Sequence, residues 1–342
     1  MTIDLTSRRR IGQTELALPP MGFGAAHVGG TGTRIPGDEA RKTFQAAWDG
    51  GIRHFDTAPF YGLGLSEHRL GDFLMDQPRE QFIVTTKVGR SFKRPDDPKT
   101  WVKQGWPTGL NFEIEFSYSY DAIMRAYEQS LLRLGLDTVD ALLLHDPDSS
   151  LSQPELHAQR MRDLADGGIR ALEDLKRSGQ IKAIGMGINS TIGLEEIVPL
   201  VELDFCIVAM PYTLLDQSVL HTGLKRCVDK GISVIIGAPY ASGILVTGPG
   251  PNARYRYQPA PPEVQEKAGR IKAVCDKHGV SLPAAALQFP LAHPAVVSII
   301  PGGISPAEVN SNLGYVREPI PPALWAELKS TGLIEADAPV PA

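Results

Sequence analysis

The 342-residue sequence predicts an α/β fold, a (β/α)8 TIM barrel, on three observations. Eight short β-branched apolar runs alternate with helical patterns, the runs are nearly continuously apolar rather than apolar at every second residue, and no shift of composition divides the chain. A strand that is apolar on both faces belongs in a parallel sheet covered by helices, and eight strand-then-helix units close such a sheet into a barrel. Residues 1–342 are therefore read as one domain, since barrels of this kind run beyond about 200 residues as a single unit.

Taken in order, the strands are "LPPMGFG" (18–24), "IRHFDT" (52–57), "QFIVTTK" (81–87) and "TVDALLLHD" (138–146). The second four are "IKAIGMG" (181–187), "FCIVAMP" (205–211), "ISVIIGA" (232–238) and "VVSIIPG" (296–302). Helical periodicity fills 38–50, 66–75, 120–135, 166–179, 191–202, 217–230 and 263–279, and another helix opens at Ser305. Glycine stands at several stop positions, as in "AAWDGG", "LRLGL" and "LKRSGQ", where a left-handed residue ends a helix. The alternative is a doubly wound open sheet. Its G-x-G-x-x-G signature is incomplete here, because Gly22-Phe23-Gly24-Ala25-Ala26-His27 lacks the third glycine.

A net charge of -5 and a pI of 5.9 argue against a nucleic-acid partner, and Arg8-Arg9-Arg10 is too short a run to reverse that. Cys206, Cys227 and Cys275 are odd in number and far apart, which suggests a reducing compartment without a disulfide framework. The N-terminal stretch lacks an apolar signal region, and no run approaches the ~18 apolar residues of a membrane span. The expectation is a cytoplasmic protein acting on a small molecule, with no membrane partner.

A barrel builds its active site at the C-terminal ends of its strands. Asp56 ends the second strand with Tyr61 just beyond it, Lys87 ends the third, and His145 ends the fourth. Each alone has an ordinary reading: a helix cap, a loop aromatic, a snorkelling lysine, a core histidine. Four ionisable groups following apolar runs on neighbouring strands point instead to chemistry, because burial of each is costly without a partner. A lysine ammonium beside a phenol favours the phenolate, an aspartate keeps that lysine charged, and a neutral histidine donates to a substrate oxygen. That set suits proton transfer at a carbonyl or alcohol oxygen while a hydride moves at carbon. His145-Asp146-Pro147-Asp148 looks like a metal cluster, but adjacent residues rarely converge on one ion, so no metal is expected.

"FDTAPFYGLGLSEHRLG", "VTTKVG", "SLLRLGLDTVDALLLHDPD" and "GGIRALEDLKRSGQIKAIGMGIN" resemble the aldo-keto reductase superfamily over roughly residues 10–330. The resemblance implies a catalytic tetrad of Asp56, Tyr61, Lys87 and His145, and makes "RRRIGQTELALPP" an N-terminal β-hairpin closing the barrel bottom. The subgroup is similar to NAD-using aldose 1-dehydrogenases of the L-fucose and D-threo-aldose type, with pyridoxal 4-dehydrogenase close to the same group. It implies oxidation of an aldose at C1 to the lactone, with pyridoxal or a general aldehyde as alternatives.

The resemblance also implies a cofactor site. "IIPGGISPAEVNSNLG" (299–314) stands where the family holds the adenosine phosphate, and it opens a helix N-terminus at Ser305-Pro306, a ready anion site. Gly302, Gly303, Ser305, Glu308 and Asn312 belong to it, with Gly24, Asn189, Ala238, Gly243 and Leu245 completing the cofactor contacts. NADP-using relatives place cations at the positions of Gly302 and Glu308, so NAD is expected over NADP; Glu308 is equally a capping-box residue after Ser305. On the sixth and seventh strands Ala209 and Gly237 replace the family's carboxamide-binding and stacking side chains, and Tyr240 or Tyr212 are the aromatics available to compensate.

Residues 88–119 form an insert expected to lack regular structure, read either as a substrate lid or binding loop, with Trp101, Trp106 and Phe112 to cover a sugar face or an aromatic ring, or as a shield of the barrel rim alone. A second insert, 247–262, brings Arg254, Tyr255 and Arg256 toward the cofactor. Two other readings stay open: a barrel aldolase with Lys87 as Schiff-base lysine, and a nicotinamide-sensing subunit without turnover.

Overall fold

The computed structural model describes residues 3–32, 34–103 and 105–342. The eight strands form one parallel sheet in sequence order: β1 Phe23–Gly24, β2 His54–Asp56, β3 Ile83–Val88, β4 Ala141–His145, β5 Ala183–Ile188, β6 Phe205–Ala209, β7 Ser233–Gly237 and β8 Val296–Ile300. Closure comes from the residues beside β1. Gly22 N donates to Ile299 O at 2.9 Å, and Ile299 N donates to Pro20 O at 2.9 Å.

The pleat sorts the side chains. Phe55 of β2 points outward and packs with Phe23, Phe44 and Phe73, at ring distances of 6.3–6.4 Å, while His54 and Asp56 alternate to the other face. Val84 and Val88 of β3, and Leu142 and Leu144 of β4, likewise join the outer helical layer. The inner cluster holds Ala141, Leu143, Ala183, Phe205, Ile207, Ile235, Val297 and Ile300. Both faces are buried, which is why the runs read as continuously apolar.

The hairpin expected at the bottom is present. Arg9–Arg10 pairs antiparallel with Ala17–Leu18, and Ile11, Leu16 and Leu18 complete the inner cluster like a stopper. With the bottom filled by hydrocarbon, the polar inward residues are concentrated at the opposite, C-terminal mouth.

The helices depart from expectation in several places, Pro322–Ser330 being one more helix beyond the predicted set. The fourth begins at Pro154 rather than 166 and runs through a π turn, Leu164–Gly168, into Ile169–Arg177. Its first part, Pro154–Asp163, buries no residue and so shows no apolar stripe in the sequence. The segment predicted over 191–202 is helical only across Ile192–Glu196, because Pro199 removes a donor and disfavours helical backbone before it. Leu282–Gln288 is buried on every side and therefore carries no period at all.

The 88–119 insert is not structureless. Arg90–Lys93 pairs antiparallel with Glu113–Phe116, so its ends form a two-stranded ribbon beside the mouth. The 247–262 insert carries a tight hairpin, Arg254–Tyr255 against Gln258–Pro259. Among the described residues no helix is long and apolar enough to cross a membrane.

Candidate active site

β2, β3 and β4 are hydrogen-bonded neighbours, and their register brings the four expected residues together. Lys87 Nζ lies 2.7 Å from Asp56 Oδ2 and donates to Thr57 O at 2.8 Å. The same ammonium sits 4.8 Å from the centre of the Tyr61 ring, and that ring meets His145 edge-on at 5.7 Å. Lys87 and Asp56 are almost wholly buried, at 2 and 3 % side-chain exposure. Gly187 of β5 makes room for the lysine stem, since a Cβ there would lie 3.2 Å from Lys87 Cε.

A second layer holds the pair. Thr85 Oγ1 donates to Asp56 Oδ1 at 2.8 Å and lies 3.2 Å from His54 Nε2. The hydroxyl has one proton and gives it to the carboxylate, so it accepts from His54, whose proton must sit on Nε2. His54 Nδ1 is then bare, and it has no partner. Burial lowers the His54 pKa to about 4, which keeps the ring neutral.

The electrostatics correct one expectation. Lys87 was expected to draw the Tyr61 phenol down, yet the phenol is held well above its ordinary value by burial and then by the charges of Asp56 and Asp146, with Arg90 opposing. The reason is visible in the contacts: the ammonium is already committed to Asp56 and a backbone carbonyl. His145 follows expectation, since burial, then Arg90 and Lys87, push it well below its usual value and leave it neutral.

Around His145 lies a second buried ion pair. Arg90 donates to Asp146 Oδ2 at 3.1 Å and to His145 O at 2.9 Å, and Tyr118 OH donates to the same carbonyl at 2.6 Å. Asn189 Nδ2 reaches Asp146 Oδ1 at 3.2 Å. Asp146 therefore pairs with an arginine, and Asp148 caps the following turn through Ser150 N at 2.9 Å. Neither Arg90 nor Tyr118 stood out in the sequence, because each contact crosses from the insert to a strand end far away in the chain.

Trp106 is 6 % exposed and walls the site, 5.6 Å from the Phe60 ring and 6.1 Å from Tyr61. Trp101 only packs behind this cluster, and Phe112 lies on Phe92 at 5.8 Å, with 40 % of its surface exposed.

The proposed cofactor residues stand at or beyond the ends of β1, β5, β7 and β8. Asn312 Nδ2 donates to Gly302 O at 3.1 Å and Tyr240 OH donates to Asn312 Oδ1 at 2.6 Å. Ser305 Oγ accepts from Glu308 N at 3.3 Å while Glu308 Oε2 accepts from Ile304 N at 3.0 Å, so the capping role of Glu308 is real. Ala238, Ala241 and Ser242 have φ of 47°, 49° and 63°, and Gly243 has φ of 103°; such strain gathers at ligand-binding turns. Leu245 does not fit its expected role: its side chain is fully buried in the core and its N–H donates to Tyr240 O.

Two observations fit a dinucleotide to this end of the barrel. Asn189 Oδ1 is buried without a partner among the described residues, and a twelve-residue helix presents its N-terminus at Ser305. Neither expected aromatic faces the tetrad, since Tyr212 is locked in the core against Phe289 and His293 and Tyr240 is bound to Asn312. Tyr257 was missed. It is 47 % exposed and its N–H is anchored on Ser242 Oγ at 3.0 Å.

Residues 20–332 match the sequence model of the Aldo/keto reductase family. A pyridoxal 4-dehydrogenase from Microbacterium luteolum is 36% identical over 98% of this chain and 100% of its own. A D-threo-aldose 1-dehydrogenase from Pseudomonas sp is 39% identical over 93% of this chain and 95% of its own. Among solved structures, an aldo-keto reductase from Bacillus halodurans superposes with a TM-score of 0.74 at 24% identity, covering 97% of each chain. That last likeness supports the fold.

Proposed function

We propose, from the premise that the chain belongs to the aldo/keto reductase family and is an oxidoreductase using a nicotinamide cofactor, that it oxidises a cyclic hemiacetal to a lactone. The preferred substrate is an aldose oxidised at C1, with pyridoxal the alternative. The observation that carries this reading is the convergence of Asp56, Lys87, Tyr61 and His145 on one barrel mouth.

Pyridoxal and an aldose share a chemical feature: an aldehyde with a hydroxyl placed to close a ring onto it. Each then presents a carbon bearing one hydrogen and one hydroxyl. Oxidation removes that hydrogen as hydride and the hydroxyl hydrogen as a proton, leaving the lactone C=O; NAD, when bound, accepts the hydride and becomes NADH. Tyr61 Oη takes the proton as phenolate in this direction and returns it as phenol in the reverse. Lys87, held by Asp56 Oδ2 and Thr57 O, compensates the phenolate charge. Neutral His145 donates to the reacting oxygen and so orients it.

Asn189 would hold the carboxamide, Ala238 and Gly243 the pyrophosphate, and Gly24, Gly302, Gly303, Ser305 and Asn312 the adenosine end. Glu308 supports NAD over NADP, because it sets a carboxylate where a 2′-phosphate needs a cation. The three cysteines are buried and free, which supports work in a reducing cytoplasm.

Tyr61→Phe tests the assignment. NADH formation with L-fucose, D-arabinose or pyridoxal should fall about 10²–10⁴-fold in kcat, while NAD binding by fluorescence titration stays unchanged. Normal turnover by the variant refutes the role.

A further inference from the structure

Asp146 is an awkward residue to keep at this mouth. Its negative charge raises the Tyr61 phenol and so opposes proton removal from the substrate. Its backbone is left-handed, with φ of 50°, a conformation uncommon outside glycine and frequent at functional sites. It is also held more loosely than the other buried carboxylates. Glu67 accepts at 2.6 and 2.8 Å, Asp56 at 2.7 and 2.8 Å, and Asp140 at 2.9 Å. Asp146 accepts from Arg90 and Asn189 at 3.1 and 3.2 Å, long for charge-assisted bonds. A carboxylate offers about four lone-pair sites, so acceptor capacity remains. Asp146 Oδ2 lies 3.6 Å from His145 Nε2, beside the imidazole proposed above to donate to the reacting oxygen.

We propose that the Arg90–Asp146 pair selects the substrate, with Asp146 accepting a hydrogen bond from the hydroxyl on the carbon adjacent to the oxidised one. Arg90 keeps the carboxylate ionised and aimed, and its second bond to His145 O ties that aim to the catalytic imidazole. The inference rests on the lactol reading above and sharpens it. An aldose carries a neutral, donating hydroxyl at C2. In pyridoxal the carbon next to the oxidised one bears no hydroxyl, and the nearest oxygen, one carbon further on, belongs to a phenol that ionises readily, an acceptor that Asp146 repels and Arg90 attracts. The pair therefore favours a polyhydroxylated lactol over an acidic phenol.

The test is a cycle of two enzymes and two substrates: wild type and Asp146→Asn, each with L-fucose and with 2-deoxy-L-fucose under saturating NAD. Loss of a hydrogen bond that the site is built to make discriminates strongly. The variant should therefore lose at least about 30-fold more in kcat/KM on L-fucose than on the 2-deoxy sugar, whose own change reads the relief of the Asp146 charge on Tyr61. Its relative activity on pyridoxal should rise. Equal losses on both sugars, or no loss on either, overturn the proposal. Calorimetric titration of the NADH-loaded enzyme with L-fucono-1,4-lactone and its 2-deoxy analogue reads the same contact without turnover. If the wild type oxidises no lactol, the function proposed above fails; the titration still decides Asp146, and equal lactone affinity in wild type and variant overturns it. Arg90→Lys guards against a folding artefact, since it keeps a cation beside Asp146. It should lose less on L-fucose than Asp146→Asn does, and an equal loss in a stable Arg90→Lys enzyme also counts against the proposal.

Discussion

Replacing Thr85 with valine removes one hydroxyl and almost no volume, yet that hydroxyl joins two fully buried groups. It donates to Asp56 Oδ1 at 2.8 Å and accepts from His54 at 3.2 Å. Thr85→Val leaves a carboxylate oxygen and an imidazole N–H without partners, and each such loss costs about 1–3 kcal/mol. The expected destabilisation is about 2–6 kcal/mol. For 342 residues the unfolding entropy is about 0.7 kcal/mol/K, so Tm should fall by about 3–8 °C. Asp56 also loses one of the bonds that aims it at Lys87. The net worth of one such bond, about 1.4 kcal/mol, corresponds to about tenfold in kcat. Differential scanning calorimetry and steady-state NADH formation measure the two effects, and Thr85→Ser, which keeps the hydroxyl, should restore both to near wild type. A valine variant within about 1 °C of wild type with unchanged kcat would refute the relay, as would a serine variant impaired as badly as valine.

The remaining expectations concern pH and cofactor choice. With Tyr61 held above its ordinary value, lactol oxidation needs the minor phenolate and should climb with pH through the alkaline range. The reverse reduction uses the phenol and should stay flat until that range. His145 is held neutral well below its ordinary value, so neither profile should break near pH 6.5, and a break there in a pH–rate series contradicts the neutral imidazole. Glu308→Gln removes a carboxylate facing the proposed 2′-phosphate position and should improve kcat/KM with NADP about tenfold, the size of one like-charge contact near a surface. Because Glu308 Oε2 also holds Ile304 N, Tm should drop slightly. An unchanged NAD-to-NADP ratio refutes the assignment.

The barrel was legible because its signal is redundant. Val84, Leu142, Ile184 and Val208 face helices while Leu143, Ile207 and Ile235 face the barrel interior, so most strands are apolar on both sides and bounded by turns. The tetrad was legible because its members interrupt that apolarity at corresponding strand ends. The relations between strands were hidden. His54 and Thr85 are 31 residues apart and Arg90 and Asp146 are 56 apart, and no period along the chain links them. Asp146 was seen as a letter, but its role depends on an arginine supplied by the ribbon at Arg90–Lys93. The helices missed at Pro154–Asp163 and Leu282–Gln288 lacked a pattern for opposite reasons, one burying nothing and the other everything. Leu245 shows the converse hazard, a position chosen by correspondence whose side chain is committed to the core.

Because the strands pair in sequence order, position along the chain is also position around the mouth. The residues proposed for proton chemistry lie from Asp56 to Asp146, and those proposed for the pyrophosphate and adenosine lie mostly between Ala238 and Asn312. The two tasks are thus separable by a single crossover. A chimera joined to a relative between β5 and β6 would keep the Asp56–Lys87–His145 register intact while importing another partner's nucleotide preference. Such a linear arrangement lets recombination retune the cofactor without disturbing the acid–base machinery.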